Sequence, residues 1–138
     1  MIVGVGYEGM TIDGFIADLV SRRIALVVDV RLNAVSRKPG FSRRALAAAL
    51  EGAGIGYRHE PTLGNPRDNR DGFGAGDPAA LAVMRARVAT VGAEAMGRLA
   101  AESRRRRVAV LCFEHDEHRC HRRVIIDALR TGRTSSDA

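Results

Sequence analysis

The sequence has only two cysteines, one lysine and no long apolar run, and these shortages exclude several classes of protein. Two cysteines cannot form the many-bridged framework of a small secreted protein. No apolar run approaches the roughly 20 residues that a membrane span requires. The first residues also lack the basic and apolar stretches of a secretion signal. We therefore expect a soluble, cytoplasmic protein that does not bind membranes and keeps Cys112 and Cys120 as free thiols.

The charge of the chain is mainly of one sign, with a formal net charge of +6. Arginine offers paired donors that match phosphate, so this charge favours a nucleic acid or a phosphate-bearing small molecule as partner. Lys38 is the single lysine, and such a bias toward arginine also arises on any solvated surface when the coding sequence is GC-rich. The charge therefore indicates a polyanionic partner only weakly, and the sequence does not define an oligomeric state.

Short apolar runs alternate with amphipathic stretches along the chain, which is typical of β-α-β units. We predict a single three-layer α/β domain over residues 1–130, followed by a frayed tail at 131–138. Its mainly parallel sheet has four or five strands, with helices on both faces. Four strands are visible in the sequence, at residues 2–5, 25–30, 55–59 and 108–113.

Helix start signals lie between the predicted strands. Thr11, Ser42 and the Asp77-Pro78 step are N-cap sequences, and they predict helices at 12–23 and 43–54 and one long helix from 78 to about 103. A last helix is expected to begin near Cys120 or His121. Residues 60–76, "EPTLGNPRDNRDGFGAG", predict a long loop with little apolar content, either a lid or disordered, and the most mobile part outside the termini.

The first turn, "GVGYEGM", has the G-x-G-x-x-G spacing of a dinucleotide-binding turn, formed by Gly4, Gly6 and Gly9. Asp29 even stands where a ribose-binding acid is expected. However, the first helix cap, Thr11, follows all three glycines, whereas in a dinucleotide turn they reach into the helix. We therefore predict no dinucleotide cofactor, and a sharp turn that places Tyr7 above the carboxyl edge of the sheet.

Polar residues follow the ends of the predicted strands, where open α/β sheets bind ligands. Asp29 and Arg31 are two residues apart, so both side chains lie on the same face of an extended strand. The pair is open to two interpretations, a structural ion pair or a functional pair.

The densest chemistry is in "LCFEHDEHRCHRR", residues 111–123. Cys112 could be a thiolate nucleophile near a helix N-terminus, or a small buried structural residue. The cysteines and histidines could also bind zinc, but Cys112 and Cys120 do not have C-x-x-C spacing. Arg119 is one position too late for a phosphatase loop. We predict no metal site, and zinc remains the open alternative for an otherwise unknown cofactor.

The segment "CFEHDEHRCHRRVI" resembles the C-x-E…C-H-R signature of the domain of unknown function 488 family. The similarity extends through "GVGYEGMTIDGFIADL", "VVDVR", "SRKPGFSRRAL" and "GIGYRHEPTLG", over about residues 2–130. It implies an α/β domain whose motif residues gather at one site: Asp29, Arg31, Ser36, Arg37, Cys112, Glu114, Cys120, His121 and Arg122. It supplies no reaction. At the level of fold analogy, the "DVR" strand end and the late cysteine also resemble rhodanese-like sulfur-transfer domains.

We expect an anion-binding pocket at the strand carboxyl ends, for a phosphate-bearing or nucleic-acid-derived ligand, and leave open whether it is catalytic. The candidate catalytic residues are Cys112, Glu114, Asp29 and His121. The candidate ligand-binding residues are Arg31, Arg37, Ser36, Arg122, Tyr7 and Cys120. An anion is expected at the N-terminus of the last helix, with Arg122 and Arg31 among its contacts. The alternatives are a non-catalytic nucleic-acid-binding accessory protein and a thiol- or metal-dependent redox module.

Overall fold

The structure, a computed structural model, describes residues 1–115, 117 and 120–137, and their side chains up to residue 131. The strands are β1 (Ile2–Gly6), β2 (Leu26–Asp29), β3 (Gly56–His59) and β4 (Val108–Cys112). The helices are α1 (Ile12–Ser21), α2 (Arg43–Gly52), α3 (Arg70–Gly74), α4 (Pro78–Ala89), α5 (Ala93–Arg105) and α6 (Arg122–Asp137). Two 3₁₀ turns, Pro61–Leu63 and Arg67–Asn69, precede α3.

The four strands form one parallel sheet in the order β1-β4-β2-β3. Strands β2 and β4 are buried along their whole length because helices cover both faces. Helices α1 and α2 pack on one face through Phe15, Leu19 and Leu46, and a second cluster on the other face includes Leu99 of α5 and Ile125 of α6. Each such side chain contributes roughly 1.5–3 kcal/mol by leaving water. The predicted three-layer α/β domain is confirmed.

Two of the three predicted N-cap side chains accept a hydrogen bond from the first turn of their helix. Thr11 Oγ1 accepts a hydrogen bond from the Gly14 amide at 3.1 Å, and Asp77 Oδ1 accepts one from the Ala79 amide at 2.9 Å. Ser42 occupies the N-cap of α2, but its hydroxyl bonds the backbone of Ser36 instead. Ser42 therefore closes the loop that leads from β2 into α2.

The long helix predicted from residue 78 to 103 is wrong, because the chain forms two helices, α4 and α5, with a break at residues 90–92. A Cβ added at Gly92 would come within 2.7 Å of Leu63 Cδ2. The close approach of Leu63 therefore favours glycine at the break. The amphipathic pattern on either side did not reveal this interruption because it comes from a tertiary contact.

The segment at residues 60–76 is not the structureless loop that its composition predicts. It contains both 3₁₀ turns and α3, and it buries Leu63 and Phe73 in the core beneath α4 and α6. Glu60 receives two hydrogen bonds from Arg98, at 2.8 and 2.9 Å. The segment is thus a packed part of the domain, and the expectation of few apolar contacts there is wrong.

The last helix begins at Arg122, close to the predicted start. It buries Val124, Ile125, Ile126 and Leu129, while Ala128 is exposed. The side chains of residues 132–137 lie outside the described part, so a frayed tail stays a prediction. None of the described helices is long and apolar enough to cross a membrane.

Candidate functional site

A polar pocket of about 320 Å³ opens at the carboxyl ends of β1, β2 and β4. Six of the residues singled out in the sequence line it: Tyr7, Arg31, Ser36, Cys112, Glu114 and His121. Asp29, Cys120 and Arg122 are buried and directly contact residues of that wall. Arg37 is exposed and is not among the lining residues. The topology thus brings nine of the ten candidates together.

Asp29 and Arg31 form a buried, bidentate ion pair. Arg31 Nε lies 2.9 Å from Asp29 Oδ1, and Arg31 Nη2 lies 2.7 Å from Oδ2. The carboxylate also accepts hydrogen bonds from the Arg31 amide and the Tyr57 hydroxyl, and Arg31 Nη1 donates to the Phe41 carbonyl and the Tyr7 hydroxyl. These contacts hold the β2 end against β3, the turn after β1 and the residues that precede α2, so they favour the structural interpretation of the pair.

The ion pair shifts the pKa values of both of its donors. Burial alone lowers the pKa of Arg31, but the hydrogen bonds and charge of Asp29 outweigh it and hold the pKa above its usual range. Burial, and then the hydrogen bond to Asp29, raises the pKa of Tyr57 well above the usual value for a phenol. Both groups therefore keep their protons at neutral pH.

Arg122 is almost fully buried and fastens the segment between β4 and α6. Its Nη1 donates to the Glu114 carbonyl at 2.6 Å and lies 3.1 Å from Cys112 Sγ, and its Nη2 donates to the His115 carbonyl at 3.0 Å. The Glu117 carboxylate lies 3.8 Å from its Nε. Arg122 and Arg31 thus use several donors inside the protein, which weakens the case for an anion held by both.

The same segment explains two glycines of the first strand. A Cβ on Gly6 would fall on the Glu114 carbonyl and come within 2.9 Å of Arg122 Nη1. A Cβ on Gly4 would meet the Glu117 carboxylate and Arg122 Nε. Gly4 and Gly6 are therefore needed so that the segment after β4 can lie directly on β1, which is a role unrelated to nucleotide binding.

The structure joins Cys112 and Cys120 as a disulfide, whereas the sequence predicts two free thiols. Both sulfurs are buried, but Cys112 lies in the wall of the polar pocket, whereas Cys120 is not one of its lining residues. The free-thiol prediction rested on the redox state of the compartment, which carries no information on whether the two sulfurs lie close together.

His121 follows the disulfide and is fixed by a backbone carbonyl. Its Nε2 lies 2.8 Å from the Val30 oxygen. Since a carbonyl only accepts, Nε2 carries the proton and the Nδ1 lone pair faces Cys120 Sγ, 3.7 Å away. Burial lowers the pKa of His121 to about 4 against a smaller opposing effect of the Val30 carbonyl, and the charges of Arg70 and Arg122 also lower it. The ring is therefore neutral at pH 7.

The comparison with protein families gives a match over most of the chain. The family described as domain of unknown function DUF488 matches residues 11–129. The chain belongs to this family. No curated protein and no solved structure matches it significantly. Apart from Arg37, the motif residues of the DUF488 chain gather at one site, but the family description names no reaction.

Two further residues of the DUF488 pocket come from the segment at 60–76. Asn65 is buried and Arg70 is exposed, and both line the pocket. Arg70 Nε lies 3.4 Å from the Asn65 carbonyl, and within the described part of the chain no residue accepts a hydrogen bond from its terminal nitrogens. In the sequence, only the position of the segment could have indicated these two residues, since it follows β3 at the carboxyl edge of the sheet.

Proposed function

We propose that the protein is a thiol-dependent enzyme that binds a small anionic substrate and exchanges its Cys112–Cys120 disulfide with sulfur groups of that substrate. One observation carries the proposal: Cys112, whose sulfur lies at bonding distance from that of Cys120, forms part of the wall of a polar pocket. The pocket lies at the strand carboxyl ends, the usual place for ligands in this class of fold. We expect the protein to act in the cytoplasm, where thiol reductants are abundant.

Cys112 is the sulfur suited to attack the substrate. It lines the pocket, and the Arg122 guanidinium 3.1 Å away would stabilise its thiolate in the reduced protein. Glu114 Oε2 lies 3.4 Å from the same sulfur and can accept the proton of the thiol. Cys120, away from the pocket, is suited to resolve the intermediate.

The exchange balances in two steps. The Cys112 thiolate attacks one sulfur of a substrate disulfide, the substrate S–S bond breaks, and the other sulfur leaves as a thiolate that takes a proton. Cys120 then loses its proton and attacks Cys112 Sγ, which releases the second substrate thiolate and closes the Cys112–Cys120 disulfide. The substrate gains two electrons and two protons, and a dithiol reductant restores the protein by the same exchange.

The pocket favours a substrate with an anionic group and an apolar part. Arg70 supplies a cation with available donors, while Ser36 and Asn65 add polar lining atoms. Val35 and Phe113 are exposed apolar side chains of the same pocket. A volume of about 320 Å³ suits a small molecule. Nucleic-acid binding stays a prediction for which we find no specific contact.

The two cysteines are expected to behave differently toward a small disulfide. With a dithiol reductant, we expect turnover of dithiodipropionic acid by the parent protein and none by Cys112→Ser. Cys120→Ser should accumulate a mixed disulfide on Cys112, because the resolving thiol is missing. Intact-mass analysis and thiol release measure both outcomes. The proposal would fail if the mixed disulfide formed on Cys120 rather than on Cys112. It would also fail if both single variants turned over dithiodipropionic acid like the parent.

Arg70 is expected to select the charge of the substrate. Arg70→Ala should raise KM for dithiodipropionic acid about ten- to hundredfold, the effect of losing one charge-assisted hydrogen bond, and leave KM for its diamide unchanged. Arg67→Ala is the matched control, since Arg67 is exposed in the same segment but does not line the pocket. Equal effects of the Arg70 variant on the acid and the diamide would rule out charge recognition by this residue.

A further inference from the structure

Three metal-binding atoms meet beneath the pocket. The sulfurs of Cys112 and Cys120 and a ring nitrogen of His121 all lie within 4.8 Å of one another, and all three side chains are buried. Zinc binds thiolates at about 2.3 Å and imidazoles at about 2.0 Å, so two tetrahedral ligands lie about 3.5–3.8 Å apart. The distance of 3.7 Å between Cys120 Sγ and His121 Nδ1 matches that spacing.

The orientation of His121 is a second, independent observation. Its Nε2–H donates to the Val30 carbonyl at 2.8 Å, and this leaves the Nδ1 lone pair directed at the sulfur atoms. Histidines that bind metals almost always donate their other ring N–H to a carbonyl or carboxylate, which fixes the tautomer. The ring is thus held in the orientation that a metal ligand requires.

We propose that the reduced protein binds one zinc ion through Cys112, Cys120 and His121. A dithiol reductant first supplies two electrons and two protons, which break the S–S bond and form two thiols. Zinc binding then releases the two thiol protons and forms two Zn–S bonds and one Zn–N bond. The disulfide form cannot bind zinc in this way because each sulfur is bonded to the other.

Three protein ligands leave the fourth position of a tetrahedral ion open, as in catalytic zinc sites. Because Cys112 and His121 line the polar pocket, this position lies on the pocket side of the cluster and is accessible to water or an anionic ligand. The two thiolates neutralise the ion, and the charges of Glu114 and Arg122 beside Cys112 offset each other. The proposal uses the same cysteines as the disulfide exchange but requires no substrate disulfide.

Cobalt(II) is the probe for this site, because thiolate ligands give it intense charge-transfer absorption. Protein reduced with a phosphine and freed of the reductant under anaerobic conditions should bind one equivalent of Co²⁺, and one equivalent of Zn²⁺ should abolish the absorption. His121→Ala should weaken binding at least about tenfold. His59→Ala is the matched control: His59 Nε2 also contacts a carbonyl, that of Arg31 at 2.7 Å, but His59 lies outside the cluster. It should bind cobalt like the parent.

Several outcomes would overturn the zinc site. Reduced parent protein without thiolate-cobalt absorption would do so, as would equal cobalt binding by the disulfide form. Parent-like cobalt binding by a His121→Gln variant would also overturn it. The variant must retain the parent's circular dichroism and melting temperature, so that loss of the ligand is separated from misfolding. Turnover of dithiodipropionic acid is measured in parallel on metal-free protein with a chelator present. Failure of turnover with intact cobalt binding refutes only the exchange function, and the reverse result refutes only the zinc site.

Discussion

Replacing Asp29 with alanine is expected to destabilise the fold by about 3–5 kcal/mol, because the substitution leaves the buried Arg31 guanidinium without its carboxylate. Asp29 is fully buried and accepts hydrogen bonds from Arg31 and from the Tyr57 hydroxyl, the latter at 2.6 Å. Removing it also leaves those donors unsatisfied. Urea denaturation followed by circular dichroism measures the loss.

Two comparison variants make this result specific. Asp18→Ala removes the exposed ion pair with Arg22, whose atoms are 3.3 Å apart, and should cost no more than about 0.5 kcal/mol. The double variant Asp29→Ala/Arg31→Met should be less destabilised than Asp29→Ala alone, because no unpaired charge remains buried. If Asp29→Ala lost as little stability as Asp18→Ala, the buried pair would not hold the strand ends together.

Gly6→Ala is expected to cost about 1–3 kcal/mol or more, as overpacking in a close-packed region does. The added methyl group would fall on the Glu114 carbonyl, so the backbone after β4 must move and its hydrogen bond with Arg122 must stretch. The shift should also change the rate at which an alkylating agent modifies Cys112 in the reduced protein. Chemical denaturation and timed alkylation with mass analysis check the two effects.

Other glycines of the chain provide the controls. Gly97 is exposed within α5 and has open space around a new Cβ, so Gly97→Ala should stabilise the protein by about 0.5–1 kcal/mol. Gly4→Ala should cost less than Gly6→Ala because the Glu117 side chain can move away, whereas a backbone carbonyl cannot. If Gly6→Ala matched Gly97→Ala in stability, the contact between β1 and the segment after β4 would not constrain the fold.

The fold was largely predictable because its signals are local. The nearly continuous apolar runs of β2 and β4 indicate burial on both faces, and Thr11 and Asp77 mark helix starts through side-chain caps that form as expected. The break between α4 and α5 was not predictable, because glycine at position 92 is needed only when Leu63 lies against it. Gly92 itself lowers helix propensity, but so does Gly97, which lies inside α5, so propensity alone does not locate the break.

The candidate site was predictable where topology alone decides proximity. Residues that follow parallel strands must meet at one edge, and this rule places Tyr7, Arg31 and Cys112 in the same pocket. It gives no distance between two residues within a single connection, so the Cys112–Cys120 bond was missed. Arg70 was missed because residues 60–76 offered no periodicity from which to infer packing.

The strand order determines when the sheet can form during synthesis of the protein. Within the described residues, β1 pairs with β4 alone. Strand β4 separates β1 from β2, although it begins more than a hundred residues after β1. During synthesis, β2 and β3 can pair early, but β1 has no partner until Val108–Cys112 leaves the ribosome. In a chain stopped before Val108, β1 is therefore an unpaired strand, and the β2–β3 pair has an open apolar edge. Cys112 ends β4, the strand that joins β1 to β2, so the polar pocket at the strand ends forms only after β4 has emerged.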